Sequence, residues 1–510
     1  MVFEPRYEKL VSSVRKKIGV TQVVVESNLP LNNNGKIEKV LCANANAYVN
    51  SSEQVNRDIT FNGYVGFQVV YLDEEGNPQG LDYTAEFRDR YVMQELINGT
   101  PILKANVVEV KYSLVNGGIK ISAIVEIDID SIVSTEIDAL VGGEGENTFY
   151  KNETINYLTL KNVVVNKFEV IGDAEIKDSV QKVLSVCPSA FIDSVDVSSS
   201  YITVKGGVNV NVCYISDESD LIVRSYNAQL DFAQEIASEH LNSDVIQSLL
   251  NVALNDVKVT ISMDANSAVL SINIPLIYNG YVFEKNEKEI VSDLFNINNN
   301  IGIDYQSFDV LNTVESKRYE EKISGNVRLE SQPFIDEVTG VCCNKVMLTN
   351  SSVVDESLLV QGVALTTVVY FNKEDKSSNS VEIEIPFSLS LDYGKLPQGF
   401  VPSLNVAFGN VMAKSRRGNE IDVEGRLFVF ADYFMEKSEA VISKAENLEE
   451  KMIADNVLSI YIVKDGDTIW EISKEMNVSP DVILEQNQDL ELPLKAGDKI
   501  VVYKQKVVAF

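Results

Sequence analysis

Histidine is almost absent from this chain of 510 residues, which contains only His240 and, similarly, a single tryptophan, Trp470. Zinc sites of the HExxH type and other mechanisms that need two imidazoles are therefore excluded. A Ser-His-Asp or Cys-His site would have to use His240, whose neighbours Ser238 and Glu239 are typical of a polar helix end or loop. We expect a non-catalytic protein without a cofactor or metal site. A carboxylate pair hidden among the acidic residues is the enzymatic alternative.

Long apolar runs and basic charge are also lacking. No stretch of 18 apolar residues occurs, and the N-terminus lacks the basic and apolar regions of a secretory signal. We therefore expect a cytoplasmic protein without membrane insertion. The chain has 44 Lys and Arg against 75 Asp and Glu, so its net charge is −31. Such a polyanion repels phosphate backbones, which argues against a nucleic-acid partner and is compatible with a basic protein partner.

Cysteine is scarce and irregularly spaced. The number is odd, no CxxC motif occurs, and two cysteines are adjacent in the chain. The five are Cys42, Cys187, Cys213, Cys342 and Cys343. This pattern is unlike a zinc site or a disulfide framework and predicts buried free thiols in a reducing compartment.

One pattern occurs three times, in residues 59–71, 202–214 and 358–370. Each copy has a glycine, then alternating apolar residues, then a tyrosine eight positions after the glycine. The glycines and tyrosines are Gly63 and Tyr71, Gly206 and Tyr214, and Gly362 and Tyr370. An apolar piece precedes each copy and a second alternating run follows it, as at 119–129. Alternation at period two, rich in Val, Ile and Thr, predicts strands with one buried face.

The sequence therefore predicts a mainly β protein with three tandem repeated β-rich domains at 1–150, 151–293 and 294–436. A linker at 437–456 and a small α+β domain of order βααβ at 457–510 complete the prediction. The copies share glycines and apolar positions rather than a distinct set of polar groups. That framework indicates a scaffold.

Two segments outside the repeats favour helix. Residues 5–18 place Leu10, Val14 and Ile18 at helical spacing, which predicts an amphipathic helix docked on the first domain. The linker at 437–456 is charged and free of Gly and Pro, which predicts a helical or flexible spacer. We expect that spacer to let the last domain move relative to the β domains.

The C-terminal segment carries start and stop signals for two helices between two strands. Thr468, with Glu471 three residues later, forms a capping-box pattern, and Ser479 precedes a proline suited to a first helical turn. Turns are predicted at Gly466 and Gly497. These signals predict the order strand, helix, helix, strand.

This order, with its Gly-Asp-Thr turn, its Asn487 and its Pro493 and Gly497 before the last strand, closely resembles the LysM family. The resemblance implies a groove that binds N-acetylglucosamine chains, between the turn before the first helix and the loop after the second. The residues at these positions are Lys464, Asp465, Gly466, Asp467, Thr468, Ile469, Trp470, Asn487, Gln488, Asp489 and Leu490. Trp470 is interpreted either as part of the small core or as an interface anchor, and Asn487 as a residue that fixes its loop.

Three β repeats followed by one C-terminal LysM module, in an acidic chain without a signal peptide, resemble the SipL family of clostridial spore-coat morphogenetic proteins with their SPOCS domains. The resemblance implies an adaptor in the mother-cell cytoplasm at the forespore surface. Its LysM module would bind SpoIVA, the ATPase at the base of the coat, and its other partners would be coat proteins. Peptidoglycan of the spore cortex or cell wall is the alternative partner.

Overall fold

The computed structural model describes residues 3–31, 36–115, 117–216, 222–237, 243–252, 257–264, 267–330, 335–354, 356–372, 376–394, 396, 400, 402–451 and 457–504. Strands dominate these residues, and helices occur only near the C-terminus of the described chain. The strands fall into three groups of the same topology, which confirms the mainly β class with repeated units.

The first repeat is a sandwich of two antiparallel sheets. Its strands are β1 (Glu4–Pro30), β2 (Ile37–Val55), β3 (Asp58–Asp73), β4 (Pro78–Val92), β5 (Gly99–Val115) and β6 (Gly118–Glu144). One sheet has the order β2-β3-β4 and the other β1-β6-β5. Ile119, Ile121 and Val125 on β6 are fully buried against residues of β3. The alternating run of the sequence is thus the face that closes the sandwich.

The second and third repeats follow the same plan. The second contains β7 (Thr148–Ile176), β8 (Val180–Val197), β9 (Tyr201–Ser216), β10 (Val223–Ala237), β11 (Ser243–Val252), β12 (Lys258–Asp264) and β13 (Ser267–Asn296). The third contains β14 (Asn299–Arg328), β15 (Glu337–Val354), β16 (Ser357–Asn372), β17 (Ser377–Asp392), β18 (Ser403–Arg416) and β19 (Glu420–Glu450). In the second repeat one sheet has the order β8-β9-β10, and in the other β13 pairs with β7, β11 and β12. In the third repeat the two sheets have the orders β15-β16-β17 and β14-β19-β18. The pair β11 and β12 takes the place that β5 and β18 hold in the other repeats.

The repeated glycine lies in the middle strand of each first sheet, directly opposite a phenylalanine. The cross-strand pairs are Gly63 with Phe87, Gly206 with Phe232, and Gly362 with Phe387. A Cβ on Gly206 would meet the Phe191 carbonyl and would lie 2.9 Å from Phe232 Cζ. A β-bulge in the preceding strand brings that carbonyl close, as between Ile192 and Ser194. Glycine is required here because the ring and the carbonyl occupy the space of a side chain.

The three repeats pack around a common axis rather than standing in a row. In each repeat the first and last strands pair as a long hairpin that extends beyond the sandwich. The extensions meet in a stem whose core draws equally on all three repeats: Leu10, Ile137 and Ala139, then Ile155, Tyr157 and Ile290, then Phe308, Val310 and Val441. The three repeats therefore share a core that no single repeat forms alone.

A second junction joins the first sheets of the repeats and contains all five cysteines. Cys187, Cys213 and Cys342 are buried and free, as predicted. The expectation of free thiols was wrong for Cys42 and Cys343, which form a disulfide across a sequence separation of 301 residues. Spacing along the chain gives no sign of this pair, because only the packing of repeat 1 on repeat 3 brings the two strands together.

The predicted helix at 5–18 was wrong, since these residues belong to β1. Leu10 is paired with Ile137 and Val14 with Val133 of β6. Both side chains are buried. A separation of four residues fits a helical face and equally an even number of strand steps, so the pattern favoured both structures. The stem, which supplies the partner strand, selects the extended form.

The prediction of a helical or flexible linker at 437–456 was also wrong over 437–450, which continue β19. Val441 and Ile442 are fully buried in the stem, and Val441 is paired with Gln306 of β14. Burial at the shared core outweighs the weak helix propensity of this charged segment. The last strand of the third repeat, β19, thus continues to Glu450. The boundaries predicted at 150 and 293 fall within β7 and β13, because the breaks lie at 145–147 and 297–298.

Candidate functional site

The C-terminal segment folds as predicted into strand, helix, helix and strand. The elements are β20 (Val457–Ile462), α1 (Ile469–Met476), α2 (Pro480–Gln486) and β21 (Lys499–Lys504). The two strands pair antiparallel, and the helices cover one face of the resulting sheet. The core consists of Val463, Ile472, Met476, Val478, Ile483, Ile500 and Val502.

The turn before α1 is held by local hydrogen bonds. Thr468 caps the helix, with its side chain accepting from the Glu471 backbone and the Glu471 carboxylate accepting from the Thr468 amide. Gly466 adopts a positive φ of 87°. Asp467 accepts from the Lys464 amide at 2.7 Å and from the Tyr461 hydroxyl at 3.0 Å. The bond to Asp467 raises the pKa of Tyr461 from 10.0 to about 12.

The loop after α2 is fixed by Asn487. Its amide nitrogen donates to the Ile483 carbonyl at 2.8 Å and to the Val501 carbonyl at 2.9 Å. Its amide oxygen accepts from the Val501 amide at 2.8 Å. Asn487 therefore joins the end of α2 to β21, which agrees with the structural role expected for it.

The two segments border one surface, called the candidate groove here and defined as residues 464–470 and 487–490. Ile469 from one segment and Leu490 from the other pack on the same small core, which keeps the segments side by side. The exposed members of the groove are Lys464, Asp465, Gly466, Thr468, Gln488 and Asp489, and the half-buried members are Asp467, Ile469, Trp470, Asn487 and Leu490. Lys464 Nζ lies 5.9 Å from the centre of the Tyr461 ring. The rim thus presents carboxylates with one lysine beside them.

A comparison with protein families agrees with the strand, helix, helix, strand fold of this segment. The family model for the LysM domain matches residues 461–502. This segment is a LysM domain. No curated protein and no solved structure matches the chain. The match is confined to the C-terminal segment of the chain.

Trp470 lies at a contact between the LysM domain and the repeats, not in the small core. Its Nε1 donates to Asp293 Oδ2 at 2.8 Å. Its ring meets Phe295 edge to face, with centroids 5.2 Å apart. Asp293 and Phe295 belong to the end of β13, at the tip of the stem. A ligand that used this face of Trp470 would have to displace both residues.

Further polar contacts surround Trp470 and hold the LysM domain against the stem. Lys474 Nζ lies 2.7 Å from Asp293 Oδ1. Asn477 Nδ2 donates to the Ile297 carbonyl at 2.6 Å, and Lys451 Nζ donates to Asn477 Oδ1 at 2.7 Å. These contacts place the LysM domain against the stem, and its movement relative to the β domains stays a prediction. The sequence gives no sign of this contact, since neither the end of β13 nor the turn after it carries a motif that marks a docking surface.

The outer face of the LysM sheet, away from the helices, is apolar and exposed. Leu458 and Ile460 are each 63% exposed and Ile462 is 59% exposed. Tyr503 and Val501, which are also exposed, stand opposite Leu458 and Ile460 on β21. Apolar residues at every position from 460 to 463 were the sequence signal of a strand with two apolar faces.

The described ranges contain neither a metal-binding cluster nor a helix suited to a membrane. In that part of the chain, no group of three or more His, Cys, Asp or Glu side chains is arranged to hold a metal ion. No helix there is long and apolar enough to cross a membrane. His240 lies outside the described residues.

Proposed function

We propose that the protein is a non-catalytic adaptor of spore-coat assembly that acts in the mother-cell cytoplasm at the forespore surface. In this proposal the LysM domain binds the coat ATPase SpoIVA, and the repeats hold other coat proteins. The observation that carries the proposal is a LysM domain with an acidic groove and an apolar outer sheet face, mounted on a body of three repeats.

Charge favours a protein over a glycan as the ligand of the groove. Asp465 and Asp489 are exposed at the rim, and the chain carries a net charge of −31. Peptidoglycan carries carboxylates on its lactyl groups and peptides, so long-range electrostatics oppose its approach. A basic surface on a protein is attracted by the same field.

The apolar outer face of the LysM sheet favours the same conclusion. Ile460 stands in the middle of this face, with Leu458 and Ile462 two residues away on either side. Contiguous exposed apolar surface of this kind is typical of sites that dock another protein. Sugar chains, in contrast, are bound through hydrogen bonds and rings. We infer that SpoIVA covers this face.

The test measures binding of the full chain to immobilised SpoIVA. We expect Ile460→Asp to weaken binding by about tenfold or more, because the charge would be buried at the interface. Ile171→Asp is the matched control: it makes the same change at an isoleucine of β7 that is 70% exposed. It should leave the affinity unchanged. Absence of binding by the unaltered chain, or equal losses in both variants, would contradict the proposal.

The family match itself favours a second candidate, binding of N-acetylglucosamine chains in peptidoglycan. Co-sedimentation of the full chain with purified peptidoglycan tests it, with Gln488→Ala and Asp489→Ala as groove variants. Retention of the unaltered chain and loss of both variants would support glycan binding. If the chain stays in the supernatant while it binds SpoIVA, the adaptor function is supported alone.

A further inference from the structure

The five cysteines converge on one buried site although they are far apart in the chain. They occupy the apolar junction between the first sheets of the three repeats, called here the thiol cluster: Cys42 on β2, Cys187 on β8, Cys213 on β9, and Cys342 and Cys343 on β15. Every repeat contributes at least one sulfur. The common axis of the fold, rather than any local motif, brings the sulfurs together.

The adjacent residues Cys342 and Cys343 face different repeats. Cys343 is bonded to Cys42 of repeat 1. Cys342 Sγ lies 3.0 Å from Cys213 Sγ of repeat 2, across a separation of 129 residues. A β-bulge between Val341 and Cys343 interrupts the alternation of β15, so both neighbouring side chains are buried. The third repeat thus presents one sulfur to each of the others.

We propose that Cys213 and Cys342 form a second cross-linking site, which closes by exchange with a low-molecular-weight disulfide. The two thiols and one disulfide R–S–S–R yield the Cys213–Cys342 bond and two R–SH. One thiol attacks a sulfur of R–S–S–R and releases R–SH. The other thiol then displaces the second R–SH from the mixed disulfide. The sulfurs need to approach by about 1 Å to reach bonding distance.

A polar pocket between repeats 2 and 3 leads toward the site. Its lining includes Cys187, Asn209 and Asn211. Asn211 Oδ1 lies 3.7 Å from Cys213 Sγ, so the pocket ends one side chain away from the reacting thiol. Asn209 is buried, and its amide has no hydrogen-bond partner among the described residues. The pocket is no larger than a water molecule, so a small reagent reaches Cys213 when the junction between the repeats opens locally.

Cys187 is the thiol that remains. Burial raises its pKa well above the ordinary value, and the hydrogen bond with Cys213 together with burial does the same for Cys342, so the sulfur geometry rather than the pKa selects the reacting pair. Cys187 Sγ donates instead to Gln68 Oε1 at 3.1 Å. With the second bond in place, repeat 3 is covalently joined to repeat 1 and to repeat 2. The odd number of cysteines then leaves one unpaired.

The experiment counts thiols in the full chain. The protein is reduced, desalted, confirmed as folded by circular dichroism, and incubated with oxidised glutathione. It is then denatured in the presence of N-ethylmaleimide, which labels free thiols, and its mass is measured by mass spectrometry. We expect one labelled cysteine, Cys187, and peptides that join Cys42 to Cys343 and Cys213 to Cys342. The Cys213→Ser variant should keep two labelled cysteines, and Cys187→Ser should keep none.

A thermal measurement adds a second readout. The oxidised chain should melt about 5 °C above oxidised Cys213→Ser, because the second bond restricts the unfolded chain. The oxidised Cys187→Ser variant should have the same melting temperature as the oxidised unaltered chain. Three labelled cysteines after full exposure to glutathione disulfide, or a bond from Cys187 to Cys213 or Cys342, would overturn the proposal. If Cys213→Ser does not fold, the thiol count of the unaltered chain and of Cys187→Ser decides alone.

Discussion

The hydrogen bonds that stabilise the LysM domain join residues close in sequence, whereas those of the body of three repeats join residues far apart in sequence. In the LysM domain, Thr468 bonds Glu471 three residues away and Asn487 bonds Val501 fourteen residues away. In the body, the Tyr7 hydroxyl accepts from the Ala445 amide at 2.6 Å across 438 residues. The difference shows why one region can be identified from a short motif, whereas the other requires the whole chain to be present.

The largest expected effect on the free energy of unfolding comes from truncating a core side chain, in the body or in the LysM domain. Phe283 is fully buried in the stem, with its ring 6.3 Å from that of Phe434. Phe283→Ala should lower the free energy of unfolding of the body by about 3–5 kcal/mol, through lost burial and a cavity. Urea denaturation followed by circular dichroism measures it.

Ile472→Ala, which removes a fully buried side chain of the LysM core, is the counterpart. It should destabilise the LysM domain by about 2–5 kcal/mol and leave the main transition of the body in place. A shared loss of both transitions would show that the two regions fold as one unit.

The repeated glycine provides the next effect. Gly206→Ala should destabilise the body by about 1–3 kcal/mol, because the added methyl meets the Phe191 carbonyl and Phe232. Lys205→Ala, at the exposed neighbouring position, is the control, and its ion pair with Asp196 is worth at most about 1 kcal/mol. The midpoint of urea unfolding distinguishes them. Equal midpoints would mean that the sheet accommodates a Cβ at this position.

The contact between the two regions is expected to be weaker than either core. Asp293→Ala removes the acceptor of both Trp470 and Lys474, which should weaken docking by about 1–2 kcal/mol. Since Trp470 is the only tryptophan, its fluorescence should shift to longer wavelength as the ring becomes solvated. Glu289→Ala, on the exposed face of the same strand, should leave the emission unchanged. An unshifted spectrum in Asp293→Ala would contradict the docked arrangement.

The smallest effect concerns the turn of the LysM groove at high pH. The folded state holds the pKa of Tyr461 at about 12 against an ordinary value of 10.0. The stabilising bond is therefore complete below pH 10 and is lost as the pH rises toward about 12. The difference in stability between the unaltered chain and Tyr461→Phe should shrink over this window. A difference that is constant from pH 9 to 12 would show that the bond to Asp467 does not form.

The sequence predicted the parts of the fold that depend on neighbouring residues. The caps at Thr468 and Ser479 and the middle strands marked by Gly63, Gly206 and Gly362 were found where expected. Strand alternation follows from side-chain burial within one sandwich, so it can be recognised in each copy separately.

The remaining features arise only when distant segments meet. Val441 is buried because two other repeats supply the stem around it, and Cys42 is bonded because Cys343 lies across the axis. Trp470 was interpreted either as a core residue or as an interface anchor, and its partner Asp293 lies near the end of β13 in a segment without any distinguishing motif. Such pairings are properties of the threefold packing and are invisible to local patterns.

The pairing of the first and last strands in every repeat has a consequence for synthesis. β1 cannot pair until β6 has been synthesised, and the same holds for β7 with β13 and for β14 with β19, which ends at Glu450. Each sandwich can close only after its final strand leaves the ribosome, so the repeats mature one after another from the N-terminus. The stem needs all three hairpins, and its last strand leaves the ribosome just before the LysM domain does. The docking surface at the tip of the stem is thus ready just before the domain that occupies it.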